Sequence, residues 1–149
     1  MSDKKKNGFT IIEVVLVLAI AGLIFLMVFI ALPALQASQR DTARKNDANI
    51  VAAGVTQYIS NNRGSFPSNT TLLASYVENV SDNTTSVNVS TNVGAGSTSP
   101  IDGVIVVTQK ATCDTSTNTS QTLASGTTRQ FTVVTKLESG GGAYYCLDN

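Results

Sequence analysis

Histidine and tryptophan do not occur in this chain, and only two cysteines and three prolines stand among its 149 residues. Without histidine, the usual general base near neutral pH and the commonest metal ligand are both missing. The two cysteines, Cys113 and Cys146, lack the C-x-x-C spacing of a zinc ribbon or a redox motif. Neither a G-x-S-x-G elbow nor a P-loop is present. Charge is sparse: ten Lys and Arg balance ten Asp and Glu. The late carboxylates Glu78, Asp82, Asp102, Asp114, Glu138 and Asp148 are scattered without a pairing pattern. The composition therefore points away from an enzyme and calls for no cofactor or metal. Asp102 and Asp114 are the one pair to weigh for calcium, but Asp102-Gly103 is first of all a turn dipeptide. No basic excess is available to follow a phosphate backbone, so strong nucleic-acid binding is not expected either.

What the chain does have is a long apolar run. Val14 to Leu35 contains 22 residues without a charge, which as a helix spans the roughly 30 Å hydrocarbon core of a bilayer. Lys4, Lys5 and Lys6 precede it, and the positive-inside rule keeps them cytoplasmic and sends the C-terminal part outward. An outward location suits a disulfide between Cys113 and Cys146, with two free buried thiols as the alternative. Three readings of the segment compete: a secretory signal, a plain anchor, and a segment cut before the apolar run. Ala19-Ile20-Ala21 fits a signal cleavage site formally, but cutting there would leave Gly22 to Met27 as an exposed apolar terminus. A plain anchor leaves the carboxylate of Glu13 unexplained, beyond its favourable place near a helix start.

The run Lys5-Lys6-Asn7-Gly8-Phe9-Thr10-Ile11-Ile12-Glu13 resembles the class III leader and first mature residues of type IV prepilins. That resemblance implies cleavage after Gly8 by a prepilin peptidase, N-methylation of Phe9, and Glu13 as fifth residue of the mature chain. It also implies a role for Glu13 in assembly. In a filament of stacked apolar helices each N-terminal ammonium needs an opposite charge at the right height, and Glu13 of a neighbouring subunit can supply it. Such a buried pair secures registry more surely than stability. The competing reading has Glu13 reaching a headgroup near the helix end. In many pilins a glycine and a following proline bracket a helix segment that unwinds in the filament. Gly22 stands in the glycine place, whereas Pro33 comes about a turn late.

Beyond Leu35 the sequence turns polar without a turn cluster, and Ala43, Ile50, Val51, Val55, Tyr58 and Ile59 recur at helical spacings. One helix is expected to run on to Asn62, stopped by Asn61-Asn62-Arg63-Gly64 with Pro67 beyond. The bracket from Arg44-Lys45-Asn46-Asp47 through Tyr58 to Gly64-Ser65-Phe66-Pro67 is similar, more weakly, to pilins and pseudopilins. From Ser68 to Thr128, 24 of 61 residues are Ser or Thr, which reads as loop-rich outer surface. Strands are expected at Ser86–Ser90, Val104–Gln109, Gln130–Lys136 and Ala143–Leu147. The sequons Asn69-Thr70-Thr71, Asn79-Val80-Ser81, Asn83-Thr84-Thr85, Asn88-Val89-Ser90 and Asn118-Thr119-Ser120 follow from Asn/Thr-rich composition alone. N-linked or O-linked sugars remain open.

The fold class expected is α+β: a long N-terminal helix, half apolar and half amphipathic, on a small antiparallel sheet. Four segments are expected: a leader over 1–8, a membrane and filament-core helix over 9–35, an amphipathic helix over 36–62, and a head over 63–149 with one disulfide. The resemblance implies a precursor held in the cytoplasmic membrane, with its head outside, that polymerises into a surface filament. Its partners would be copies of itself, the prepilin peptidase and the pilus assembly machinery. Alternatives are a pseudopilin or minor pilin of a type II secretion or competence system, and a monomeric membrane-anchored binding domain.

Overall fold

The structure is a computed structural model that describes residues 8–91, 96–97, 100–114 and 122–149. The sequon at Asn118 lies outside them. The chain divides into two compact units, Met1–Gln36 and Ala37–Asn149.

Helix α1 spans Ile11–Asn61. In the first unit its side chains from Val14 to Leu35 are almost all exposed, as apolar residues on every face require when nothing covers them. In the second unit one stripe is buried: Asp41, Arg44, Asp47, Ala48, Val51, Gly54 and Val55, at helical spacings of three, four and one. The helix ends in a Schellman turn. The Gly64 N–H donates to the Ile59 carbonyl at 2.8 Å, and Arg63 and Gly64 take φ of 57° and 84°.

A short helix α2, Thr70–Leu73, starts at Asn69, whose side chain accepts the Leu72 N–H. It drives Leu73 into the core. Gly54 allows this approach, because a Cβ there would meet Val77 Cγ2 at 2.7 Å and the Tyr76 carbonyl oxygen at 2.8 Å.

Strands β1 (Ser86–Ser90), β2 (Gly96–Ser97), β3 (Val104–Gln109), β4 (Ala111–Cys113), β5 (Thr122–Ser125), β6 (Phe131–Lys136) and β7 (Tyr144–Asp148) follow. Among the described residues they form two sheets, β1-β3-β6-β7 and β2-β5-β4. Ile105, Val107, Phe131 and Val133 face α1 and close on Ala48, Val51, Val55 and Leu73. Full burial is worth about 1.5–3 kcal/mol for each large apolar side chain, so this stripe holds helix to sheet. Val134, on the opposite face of β6, closes with Ala111 and Leu123 of the smaller sheet. Thr108, Thr132 and Thr135 are buried as β-branched space-fillers, and among the described residues their hydroxyls have no partner.

The α+β architecture stands as expected, with three refinements. Strand β1 runs parallel to β3, Ser86 facing Val104 and Ser90 facing Thr108, while β3-β6 and β6-β7 are antiparallel. The 91–103 connection is long enough for the crossover a parallel pair needs. The Ser/Thr-rich stretch is not all surface: Leu73, Val104, Ile105, Val107, Ala111 and Leu123 lie within it and are buried. The disulfide joins Cys113 and Cys146, as expected, but Cys113 sits in strand β4 rather than in a loop. The bond therefore ties the smaller sheet to the edge strand of the larger one.

Candidate functional site

The start of α1 is built by a reciprocal cap. The Thr10 hydroxyl and backbone N–H both donate to Glu13 Oε2, at 2.7 and 2.8 Å. The Glu13 N–H lies 3.4 Å from Thr10 Oγ1 and 3.1 Å from the Thr10 carbonyl. This is a capping box, T-x-x-E, which satisfies orphan donors at the helix start. The sequence reading treated Glu13 without it, although the spacing was legible. Phe9, Ile11 and Ile12 are among the most exposed large side chains. Phe9, Val14, Val17 and Leu18 line an apolar cleft of about 390 Å³ with Glu13 at its edge. In a single chain this segment thus presents an apolar surface carrying one locally bonded carboxylate.

Residues 3–29 match the family model described as the prokaryotic N-terminal methylation motif. It is the class III leader of type IV pilins. The N-terminal segment is accordingly similar to that of type IV pilin-like, prepilin-type proteins. Leaders of this class imply processing by a prepilin peptidase. Joined to an apolar helix long enough to cross a bilayer, the leader suggests a membrane-anchored precursor. No curated protein and no solved structure matches the chain.

The other candidate residues are dispersed. Gly8 has open space around it and precedes the helix. Gly22 and Pro33 both lie inside α1, which runs on through them in the single chain. Pro33 forgoes one backbone hydrogen bond there. Cys113 and Cys146 lie far along the sequence, in the head. Asp102 sits 3.4 Å from the Lys136 ammonium and 3.9 Å from Arg44 Nη1, a place that suits a carboxylate facing cations rather than one collecting metal ligands. Among the described residues no three His, Cys, Asp or Glu come together.

A second polar feature was missed from sequence. Asp41, Arg44 and Asp47 occupy the buried stripe of α1 where an apolar start at Ala43 was expected. Asp41 accepts the backbone N–H groups of Glu138 and Ser139 at 2.7 and 2.9 Å, and also the Ser139 hydroxyl. Arg44 donates to the Lys136 carbonyl at 2.9 Å and to Glu138 Oε1 at 2.7 Å, while Arg40 holds Glu138 Oε2. Asp47 takes the Ser81 N–H at 3.0 Å and the hydroxyls of Ser81 and Thr84 at 2.6 and 2.7 Å. These charges clamp two loops, 137–143 and 78–85, to the helix, and their polar backbone groups are satisfied where water is excluded. The signal available was the i, i+3, i+6 spacing of three charges on one face, which reads as solvated surface unless the partner loops are known.

Burial pushes the Asp41 carboxyl up, but the Ser139 hydroxyl, the Glu138 and Ser139 N–H groups and the Arg44 charge outweigh it and leave it below the usual aspartate range. A folded pKa below the unfolded value near 3.9 contributes stability above that value, lost as pH falls through the folded pKa. Urea unfolding midpoints should therefore fall on acidification below about pH 4. Asp41→Asn should be less stable at neutral pH and should lose part of that acid sensitivity. An unchanged pH dependence in the variant contradicts the assignment.

Proposed function

We propose that this chain is the structural subunit of a type IV pilus, a major pilin cut after Gly8, methylated on Phe9 and polymerised through its apolar helix. The observation that carries the reading is the exposed apolar surface from Phe9 to Leu35, directly after a leader that matches the methylation motif. A hydrophobic surface on every face of a helix needs cover, first from lipid and then from other copies. Docking one patch on a different patch is heterologous and generates an open filament. The clamped head would then form the outer wall. Such filaments serve adhesion, motility or DNA uptake.

The test is direct. Sheared cell-surface material, examined by electron microscopy and intact-mass spectrometry, should contain abundant filaments. Their subunit should begin at Phe9 and be one methyl group heavier than residues 9–149. A chain that keeps Met1 to Gly8, or begins at Gly22, contradicts the processing. A correctly trimmed chain that is scarce in filaments assigns it instead to a pseudopilin or minor pilin, and a trimmed chain found only as a membrane monomer removes the polymer altogether.

A further inference from the structure

At the C-terminal end of α1 lies a cavity of about 500 Å³ whose lining includes Ile59, Ser60, Arg63, Phe66, Thr128 and Arg129. Its volume is within the range of small-ligand sites. Phe66 is half-buried and leans on Phe131, with ring centroids 6.3 Å apart. Ser60 donates its hydroxyl to the Thr56 carbonyl, which leaves its oxygen lone pairs available as acceptors.

The two guanidinium groups differ from most other cations of the head. Arg40 and Arg44 pair with Glu138, Lys136 pairs with Asp102, and Lys45 lies over the Tyr145 ring at 5.7 Å. Arg63 and Arg129 are exposed and make no ion pair with any carboxylate among the described residues, Asn149 at the cavity rim included. Lys110, a third cation without an ion pair there, is held at the same loop, its N–H bonded to the Gln130 carbonyl at 2.7 Å. Arg63 also occupies the left-handed position of the Schellman turn with φ of 57°, where glycine or asparagine is the relaxed choice. A left-handed backbone position has been given an arginine, and that arginine makes no ion pair among the described residues.

We propose that this cavity binds a carboxylate-bearing saccharide of the uronic or sialic acid class. Arg63 and Arg129 both line the cavity, and a guanidinium group matches a carboxylate through paired, charge-assisted hydrogen bonds. Phe66 and Ile59 offer an apolar wall to the C–H face of a sugar ring, and Ser60 and Thr128 offer hydroxyls to its own hydroxyls. Nucleic acid fits less well. The exposed large apolar residues of the head are Leu72 and Ile101, so an exposed aromatic platform for base stacking is missing among the described residues. Residues 9–149 hold seven basic and nine acidic side chains, the ten of each sign in the whole chain less Lys4, Lys5, Lys6 and Asp3. The inference does not depend on whether the chain polymerises.

The experiment is calorimetric titration of the full chain in detergent micelles with D-glucuronate and with N-acetylneuraminate. D-glucose, inorganic phosphate and a single-stranded oligonucleotide are titrated as separate arms. The acidic sugars should bind saturably and more weakly as salt is added, and glucose should not bind. Arg63→Gly relieves the left-handed backbone, so its thermal midpoint should not fall, yet its affinity for the acidic sugars should drop about tenfold or more. Arg129→Gln should act alike. Failure of both acidic sugars to bind, equal binding by the folded Arg63→Gly and Arg129→Gln variants, or binding of phosphate or oligonucleotide in place of the sugars overturns the proposal.

Discussion

Glu13→Gln should leave the chain inserted and its head folded, but without filaments. The substitution separates two jobs that alanine would remove together. In the single chain Glu13 closes a capping box with Thr10, and glutamine serves in that motif as well as glutamate does. The helix start should therefore survive. What glutamine lacks is the charge that, in the proposed filament, meets the N-terminal ammonium of a neighbouring Phe9. Breaking a buried pair by removing one partner costs about 3–5 kcal/mol, less where water reaches the site. A loss of that size at every subunit contact is enough to stop polymer growth.

Thr10→Val is the complementary change. It removes the cap, for about 1 kcal/mol, and keeps the carboxylate, so filaments should persist with a slightly frayed first turn. Filament counts by electron microscopy, normalised to membrane-inserted chain, read both variants. Wild-type numbers of filaments from Glu13→Gln would reduce Glu13 to a helix cap.

The Cys113→Ser, Cys146→Ser double variant should show the largest loss of head stability. The bond closes a loop of 33 residues, for which the chain-entropy treatment gives about 3.5–4 kcal/mol, with the origin of disulfide stabilisation itself disputed. The surrounding packing makes this bond unusually important to the smaller sheet. Among the described residues the buried side chains packed on that sheet are Ala111, Leu123 and Val134, whereas eight buried residues join the larger sheet to α1 and α2. Without the bond, β4 and β5 should open first and the α1-facing core later. Amide exchange should then rise at Ala111–Cys113 and Leu123–Ser125 before it rises at β3 and β6, and the urea midpoint should fall. Uniform exchange across both sheets, or a loss under about 1 kcal/mol, contradicts this picture.

The parts legible in the sequence are those with a local cause. The apolar run, the helix end at Asn61-Asn62-Arg63-Gly64, and the strands Ser86–Ser90 and Val104–Gln109 follow from periodicity, chain-reversal chemistry and β-branched content. Each of these acts within a few residues. The match to the methylation motif was legible for another reason: glycine, phenylalanine and glutamate stand at fixed spacing in one short linear stretch, and no fold has to bring them together.

Features that depend on partners distant in the chain were decided only by tertiary structure. Nothing in Ser86–Ser90 or Val104–Gln109 encodes that they pair in parallel; only the folded sheet shows it. Ala111–Cys113 and Thr122–Ser125 are too short to carry a period, and they become strands because they pair with each other over Val134. Asp41, Arg44 and Asp47 look like solvated charge in one dimension. They are buried because the 78–85 and 137–143 loops bring N–H and hydroxyl donors to them. A charge belongs in an interior only when its partners are already in place, and that arrangement exists only once the chain has folded.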